Sequence, residues 1–314
     1  MRQVSIEEYR VADGSAGPYS LTTGPDGALW FTLVHGGGIG QLVPGGRPAV
    51  YALDPECGPS VITAGPDGAL WFTEYRADRI GRIACDGHVT EYQLPTPGCG
   101  PFGIAAGPDG ALWFTGTAAD RVGRVTVDGR VTEFPLPVSG AFPSGIAAGG
   151  DGGMWFTLNR ANAVGRIGMD GAVALHPLPT AEAAPVGIAA GPDGALWFTE
   201  IAAGRIGRIT PGGHVTEYPL ADPAARPHAV TVAGDGTVWF TEWAGNRVGA
   251  LAPGGSPVAY GLPTPGSEPH GIAVGPDGAV WTALETGALA RVAPADGPAP
   301  DGPAPGTSTT DGSA

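Results

Sequence analysis

The chain has 314 residues, 55 of them Gly and 33 Pro, a load that weakens helix interiors and argues against a mostly helical fold. Yet 42% of the residues are hydrophobic and eight are Trp, so a core can form and low complexity does not fit. There is no Gly-X-Y period, which excludes collagen, and the net charge of −14 argues against a phosphate-backbone partner such as nucleic acid.

Residues 4–9 (VSIEEY) open the chain with a strand-like alternation. A repeat comes next. Trp30, Trp71, Trp113, Trp155, Trp197, Trp239 and Trp281 are spaced 41 residues once and 42 thereafter, each within a version of G-P-D-G-A-L-W-F-T. Such a period built from short strands points to propeller blades. In the fifth copy, residues 187–190 read as an innermost strand and Pro192-Asp193-Gly194 as a turn. Residues 195–199, 205–209 and 214–220 read as the second, third and outermost strands. The seventh copy stops after its third strand, near residues 288–292, and the N-terminal segment resembles the missing fourth. The expectation is an all-β, seven-bladed β-propeller of four-stranded blades, residues 1–292, closed by the N-terminal strand joining the last blade. Residues 293–314 lack large apolar side chains and are expected to be a disordered Pro/Gly-rich tail.

Where the copies disagree, function is sought. After the Pro that enters strand one stand Tyr19, Ser60, Phe102, Ser144, Val186, His228 and His270, which should ring one mouth of the channel. Two residues before His270 is Glu268, where other copies have Gly17, Gly58, Gly100, Phe142, Ala184 and Arg226. Beyond the W-F-T strand, the last copy places Glu285 on the same face. Two carboxylates and an imidazole suit a hard divalent cation, Mg, Mn or Ca. A free imidazole beside it could act as a base.

These residues resemble the virginiamycin B lyase (streptogramin B lyase) family. The resemblance covers residues 1–292 and rests on Arg226-Pro227-His228-Ala229, Glu268-Pro269-His270-Gly271 and Trp281-Thr282-Ala283-Leu284-Glu285. It implies a lyase that linearises type B streptogramins, small cyclic depsipeptide antibiotics, by elimination at the threonyl ester. It also implies Mg²⁺ held by Glu268 and Glu285, His270 as general base and His228 in contact with substrate. Tyr19, Phe102 and Trp243 are then expected to stack on the substrate's aromatic groups. The alternatives are a metal-dependent propeller lactonase or esterase, and a non-enzymatic propeller that binds peptides. Blade one, with Leu33-Val34-His35-Gly36-Gly37-Gly38, and blade seven, with Thr282 after its Trp, depart from the repeat.

Elsewhere the readings are plain. His88, His176 and His214 read as solvated surface, and His35 as a mobile loop residue. Glu74, Glu200 and Glu242 read as structural, bonding blade backbones. Cys57, Cys85 and Cys99 read as free thiols. No apolar run of membrane length and no apolar signal core occurs, so a cytoplasmic chain without a membrane partner is expected. A closed ring needs no second subunit, so a monomer is expected.

Overall fold

In each copy the second strand supplies the Trp, and in six of the seven the Phe, that fill the space between neighbouring blades. The computed structural model describes residues 3–295. No helix occurs among them, and they form seven four-stranded antiparallel sheets. Blade one comprises Pro18–Thr23, Leu29–Leu33, Gly38–Leu42 and Ala49–Ala52, and the others come after it in chain order. Blade five comprises Pro185–Ala190, Leu196–Glu200, Arg205–Ile209 and Val215–Pro219, close to the expected strands.

Blade seven contains Pro269–Val274, Val280–Leu284 and Ala288–Pro294, and its outermost strand is Val4–Arg10. Ile6 lies opposite Val292, and Tyr9 opposite Leu289. The ring of Tyr9 packs on Trp281 at 5.2 Å, as Tyr51 stacks on Trp30 at 5.5 Å in blade one. The N-terminal strand thus closes the ring and restores the aromatic pair of the repeat. The third strand runs to Pro294, two residues past the expected boundary. The expected disordered tail lies, from residue 296 onward, outside the described residues.

The core sits between blades. Trp30 and Ile39 of blade one pack with Leu70, Phe72 and Ile83 of blade two. Burying one such aromatic side chain contributes roughly 1.5–3 kcal/mol. Phe72 occupies space that a side chain at Gly81 would need, since a Cβ there would lie 2.1 Å from its ring. Six blades share this Phe–Gly pair. Blade seven replaces both members, with Thr282 opposite Ala290. Its departure from the repeat is therefore a compensated exchange of volume.

The W-F-T threonine links the blades. Thr199 Oγ1 accepts from the Gly187 amide at 2.9 Å and donates to the His228 carbonyl of blade six at 2.8 Å. Thr241 Oγ1 accepts from the Ala229 amide at 3.0 Å and donates to the His270 carbonyl at 2.8 Å. The backbone of six of the seven mouth residues is thus held by the preceding blade. Blade seven has Ala283 in this register. The seam to blade one instead carries a bond from Thr23 Oγ1 to the Val274 carbonyl at 2.9 Å.

The structural glutamates correct the expected backbone role. Glu74 accepts from Arg79 Nε at 2.7 Å, and Glu242 accepts from Arg247 Nε. Glu200 is fully buried, and neither carboxyl oxygen has a hydrogen-bond partner. Burial, and then the nearby Glu217, push its carboxyl up to about 8. The folded chain thus holds a proton that the unfolded chain releases near 4.5, the ordinary value for this carboxyl. Its contribution to stability is greatest below that pH and falls as pH rises through about 8. Glu200→Gln is expected to be more stable than wild type at pH 9 by about 1–3 kcal/mol, with little difference at pH 4.5. Melting curves at the two pH values check this, and an equal offset at both would contradict it.

Candidate active site

The chain enters strand one through a left-handed residue in every blade. Gly17, Gly58 and Gly100 have φ of 64°, 59° and 59°, while Phe142, Ala184, Arg226 and Glu268 have 55°, 53°, 52° and 51°. Glycine adopts this conformation freely, and for other residues it costs about 1–2 kcal/mol. Glu268 therefore sits at a position better suited to glycine. The conformation sets the carboxylate at the rim of the mouth.

The two variable registers do share a face. Tyr19, Ser60, Phe102, Ser144, Val186 and His228 line one depression of about 370 Å³ with Val34, Tyr75, Thr117, Asn159 and Ile201. His270 lies beside it, its ring centroid 4.9 Å from that of His228. The Tyr19 ring packs on His270 at 4.6 Å, and its hydroxyl lies 3.4 Å from His228 Nε2. Phe102 meets Tyr19 edge-on at 6.2 Å. Trp243 packs against His270 at 6.3 Å, and the Arg226 guanidinium lies over the Trp243 ring at 5.7 Å.

Ligand atoms of Glu268, His270 and Glu285 all lie within 4.8 Å of one another. His270 Nε2 is 3.3 Å from Glu285 Oε1. His270 Nδ1, His228 Nδ1 and Trp243 Nε1 are buried without a hydrogen-bond partner. Burial, followed by the neighbouring His228 and His35, pushes the His270 imidazole down to about 3. Burial alone pushes His228 down to about 4. Both rings are therefore neutral near pH 7. Burial and then the adjoining Glu268 push the Glu285 carboxyl up to about 7, because two carboxylates compete for one space. Burial, with Glu285 second, holds the Tyr19 phenol well above its ordinary value.

The structure brings together every residue expected at the site, and adds His35. His35 was expected to be a mobile loop residue. It lies at the rim with Nε2 3.6 Å from Glu285 Oε1, and its amide donates to the Ala16 carbonyl. Gly17 makes room for it, since a Cβ there would fall 2.6 Å from His35 Cδ2. The signal was the atypical Gly-rich loop of blade one, which faces blade seven once the ring closes. His176 is also corrected: it stacks on Trp155 at 5.3 Å, where other blades use Tyr or Phe. Cys57, Cys85 and Cys99 are free, and burial, as the first cause, pushes Cys57 and Cys99 up to about 12.

Fold and site together define a seven-bladed β-propeller with a carboxylate–imidazole cluster on the rim of an apolar mouth. Propellers of this kind serve many functions, so the class alone does not fix the chemistry. The chain belongs to the virginiamycin B lyase family, whose match spans residues 4–292. A solved streptogramin B lyase is 41% identical, with a TM-score of 0.90 over 92% of this chain and 97% of that one. A catalytically inactive histidine-to-alanine variant of virginiamycin B lyase from Staphylococcus aureus, solved with quinupristin, is 38% identical. Its TM-score is 0.89 over 92% of this chain and 99% of that one. Virginiamycin B lyase of Saccharopolyspora erythraea is 60% identical over 53 residues, 17% of this chain and 18% of that protein.

Proposed function

We propose that the chain is a carbon–oxygen lyase that linearises type B streptogramin depsipeptides by elimination, inactivating them. The observation that carries this reading is the buried His270 between Tyr19 and Trp243, 3.3 Å from Glu285. Family membership and the quinupristin-bound relative support the substrate class.

The donor set fits Mg²⁺. Glu268 and Glu285 offer hard oxygen ligands close together, and a cation would offset the mutual repulsion that raises Glu285. When bound, it supplies Lewis acidity toward the carbonyl next to the α-carbon. The protein does the rest. With its own proton on Nδ1, His270 presents the Nε2 lone pair to the α-proton of the threonine-derived unit. The C–H electron pair becomes the new double bond, and the ester carboxylate leaves from the β-carbon. The imidazolium so formed lies near the Glu285 carboxylate, which offsets its burial. Tyr19 and Trp243 pack on the His270 ring and hold its orientation. His228 lies between the base and the depression, placed to touch substrate. The apolar lining, Phe102 included, takes the aromatic groups of a cyclic peptide.

Incubation with a type B streptogramin, in Mg²⁺ and in chelator, tests the reading. Elimination gives a linear product of unchanged mass, and only with Mg²⁺. A gain of one water would instead make the enzyme a hydrolase, and an unchanged cyclic substrate would remove the reading altogether.

A further inference from the structure

The repeat sets a further imidazole against the cluster, and the lyase reading leaves it without a task. Five residues past each register Trp stand His35, Arg76, Ala118, Arg160, Ala202, Ala244 and Thr286. In this register a residue sits beside the entry loop of its own blade and the rim of the preceding one. Blade three shows the arrangement: a Cβ at Gly100 would lie 3.3 Å from Ala118 Cβ and 3.2 Å from Tyr75 Cε2 of blade two. At the ring closure the same arrangement brings His35 of blade one to Glu285 of blade seven, with 3.6 Å between Nε2 and Oε1. Blade one is the copy with an imidazole in this register, and it abuts the copy whose rim residue is an acid.

The loop that carries His35 has a fixed backbone. The Val34 amide donates to the Gly17 carbonyl at 2.9 Å. The His35 and Gly36 amides both donate to the Ala16 carbonyl, at 3.1 and 3.0 Å. Gly37 has φ 56°, and a Cβ there would fall 2.4 Å from Pro55 Cα, so glycine lets the loop lie against the entry of blade two. The backbone of His35 is held, while half of its side chain is exposed to solvent.

Among the described residues, two side-chain nitrogens lie within 4.0 Å of the Glu285 carboxylate: His270 Nε2 at 3.3 Å and His35 Nε2 at 3.6 Å. In the elimination, His270 Nε2 carries the lone pair that takes the α-proton. It therefore has no hydrogen to offer Glu285 before that step. A neutral His35 with its proton on Nε2 does. The gap is slightly beyond hydrogen-bond range, and a small turn of a half-exposed ring closes it. Groups that hydrogen-bond a metal-ligating side chain fix its direction, and with it the affinity for the ion.

We infer, resting on the lyase reading, that His35 is a positioning residue: its Nε2–H holds the Glu285 carboxylate beside Glu268 for the divalent cation, a task that His270 cannot share while it acts as base.

Calorimetric Mg²⁺ titration of the full-length protein without substrate reads this apart from turnover. His35→Leu keeps much of the bulk and removes the donor. It is expected to weaken Mg²⁺ binding about 10-fold, the low end for such partners, because water partly replaces an exposed ring. His35→Gln, whose amide N–H reaches about as far as Nε2, should recover most of that loss. Arg76→Leu, in the same register of blade two, should bind Mg²⁺ as wild type does. Circular dichroism checks that each variant is folded. Wild-type affinity in His35→Leu would overturn the proposal. So would a Gln variant as weak as the Leu variant, or an equal loss in Arg76→Leu. Wild type that binds Mg²⁺ and leaves a type B streptogramin cyclic would overturn the lyase reading, while the titration still judges His35. Wild type that takes up no Mg²⁺ would overturn the proposal, and elimination that ran regardless would leave the lyase reading standing.

Discussion

His270→Ala is expected to cut turnover of a type B streptogramin by about 10²–10⁴-fold, the range for loss of a general base. The fold should survive, because the blade-to-blade bond at this position is accepted by the His270 backbone carbonyl from Thr241. The melting temperature should therefore move by only a few degrees, reflecting lost packing against Tyr19 and Trp243. Single-turnover assays with circular dichroism distinguish the two effects. Near-normal turnover in a folded variant would remove His270 from the role of base.

Glu268→Gly is expected to lose Mg²⁺-dependent turnover and yet gain stability. The left-handed backbone at Glu268, φ 51°, matches the glycine that blades one to three use. Relief of about 1–2 kcal/mol, less the entropy that glycine regains in the unfolded chain, leaves a net gain of about 0.5–1 kcal/mol. That corresponds to a melting temperature higher by roughly 1–4 °C. Glu268→Gln keeps the backbone cost while removing the charge, so it should lose Mg²⁺ binding without the gain. Calorimetric Mg²⁺ titration and thermal melts of both variants check this. A destabilised glycine variant would show that the carboxylate contributes more to the fold than its conformation costs.

Much of the fold was legible because the repeat states it seven times. The Trp register fixed blade number, and residues 4–9 carried the pattern of an outer strand. The nearness of His228, Glu268, His270 and Glu285 was legible where three registers of the repeat change identity. What escaped depended on contacts between distant parts of the chain. His35 meets Glu285 only because blade one abuts blade seven. Glu200 carries the same local motif as Glu74 and Glu242, and nothing in that motif distinguishes it. The difference lies in a third residue. Asp54 and Asp222 draw Arg79 and Arg247 in blades two and six, while the equivalent Thr180 in blade five bonds Glu217. Arg205 then also turns to Glu217, 3.9 Å away, leaving Glu200 without it.

The seam has a temporal consequence. Tyr19 and His35 are made well before Glu268, His270 and Glu285. They meet across the one blade junction that has Ala283 in place of the threonine link. A growing chain can stack its first six blades and still lack a working centre. Competence would arrive in a single late event, when the first strand finds the last. By the same logic, fraying at that junction would silence the enzyme while most of the ring remained intact, so activity would report closure more sensitively than any average measure of folded structure.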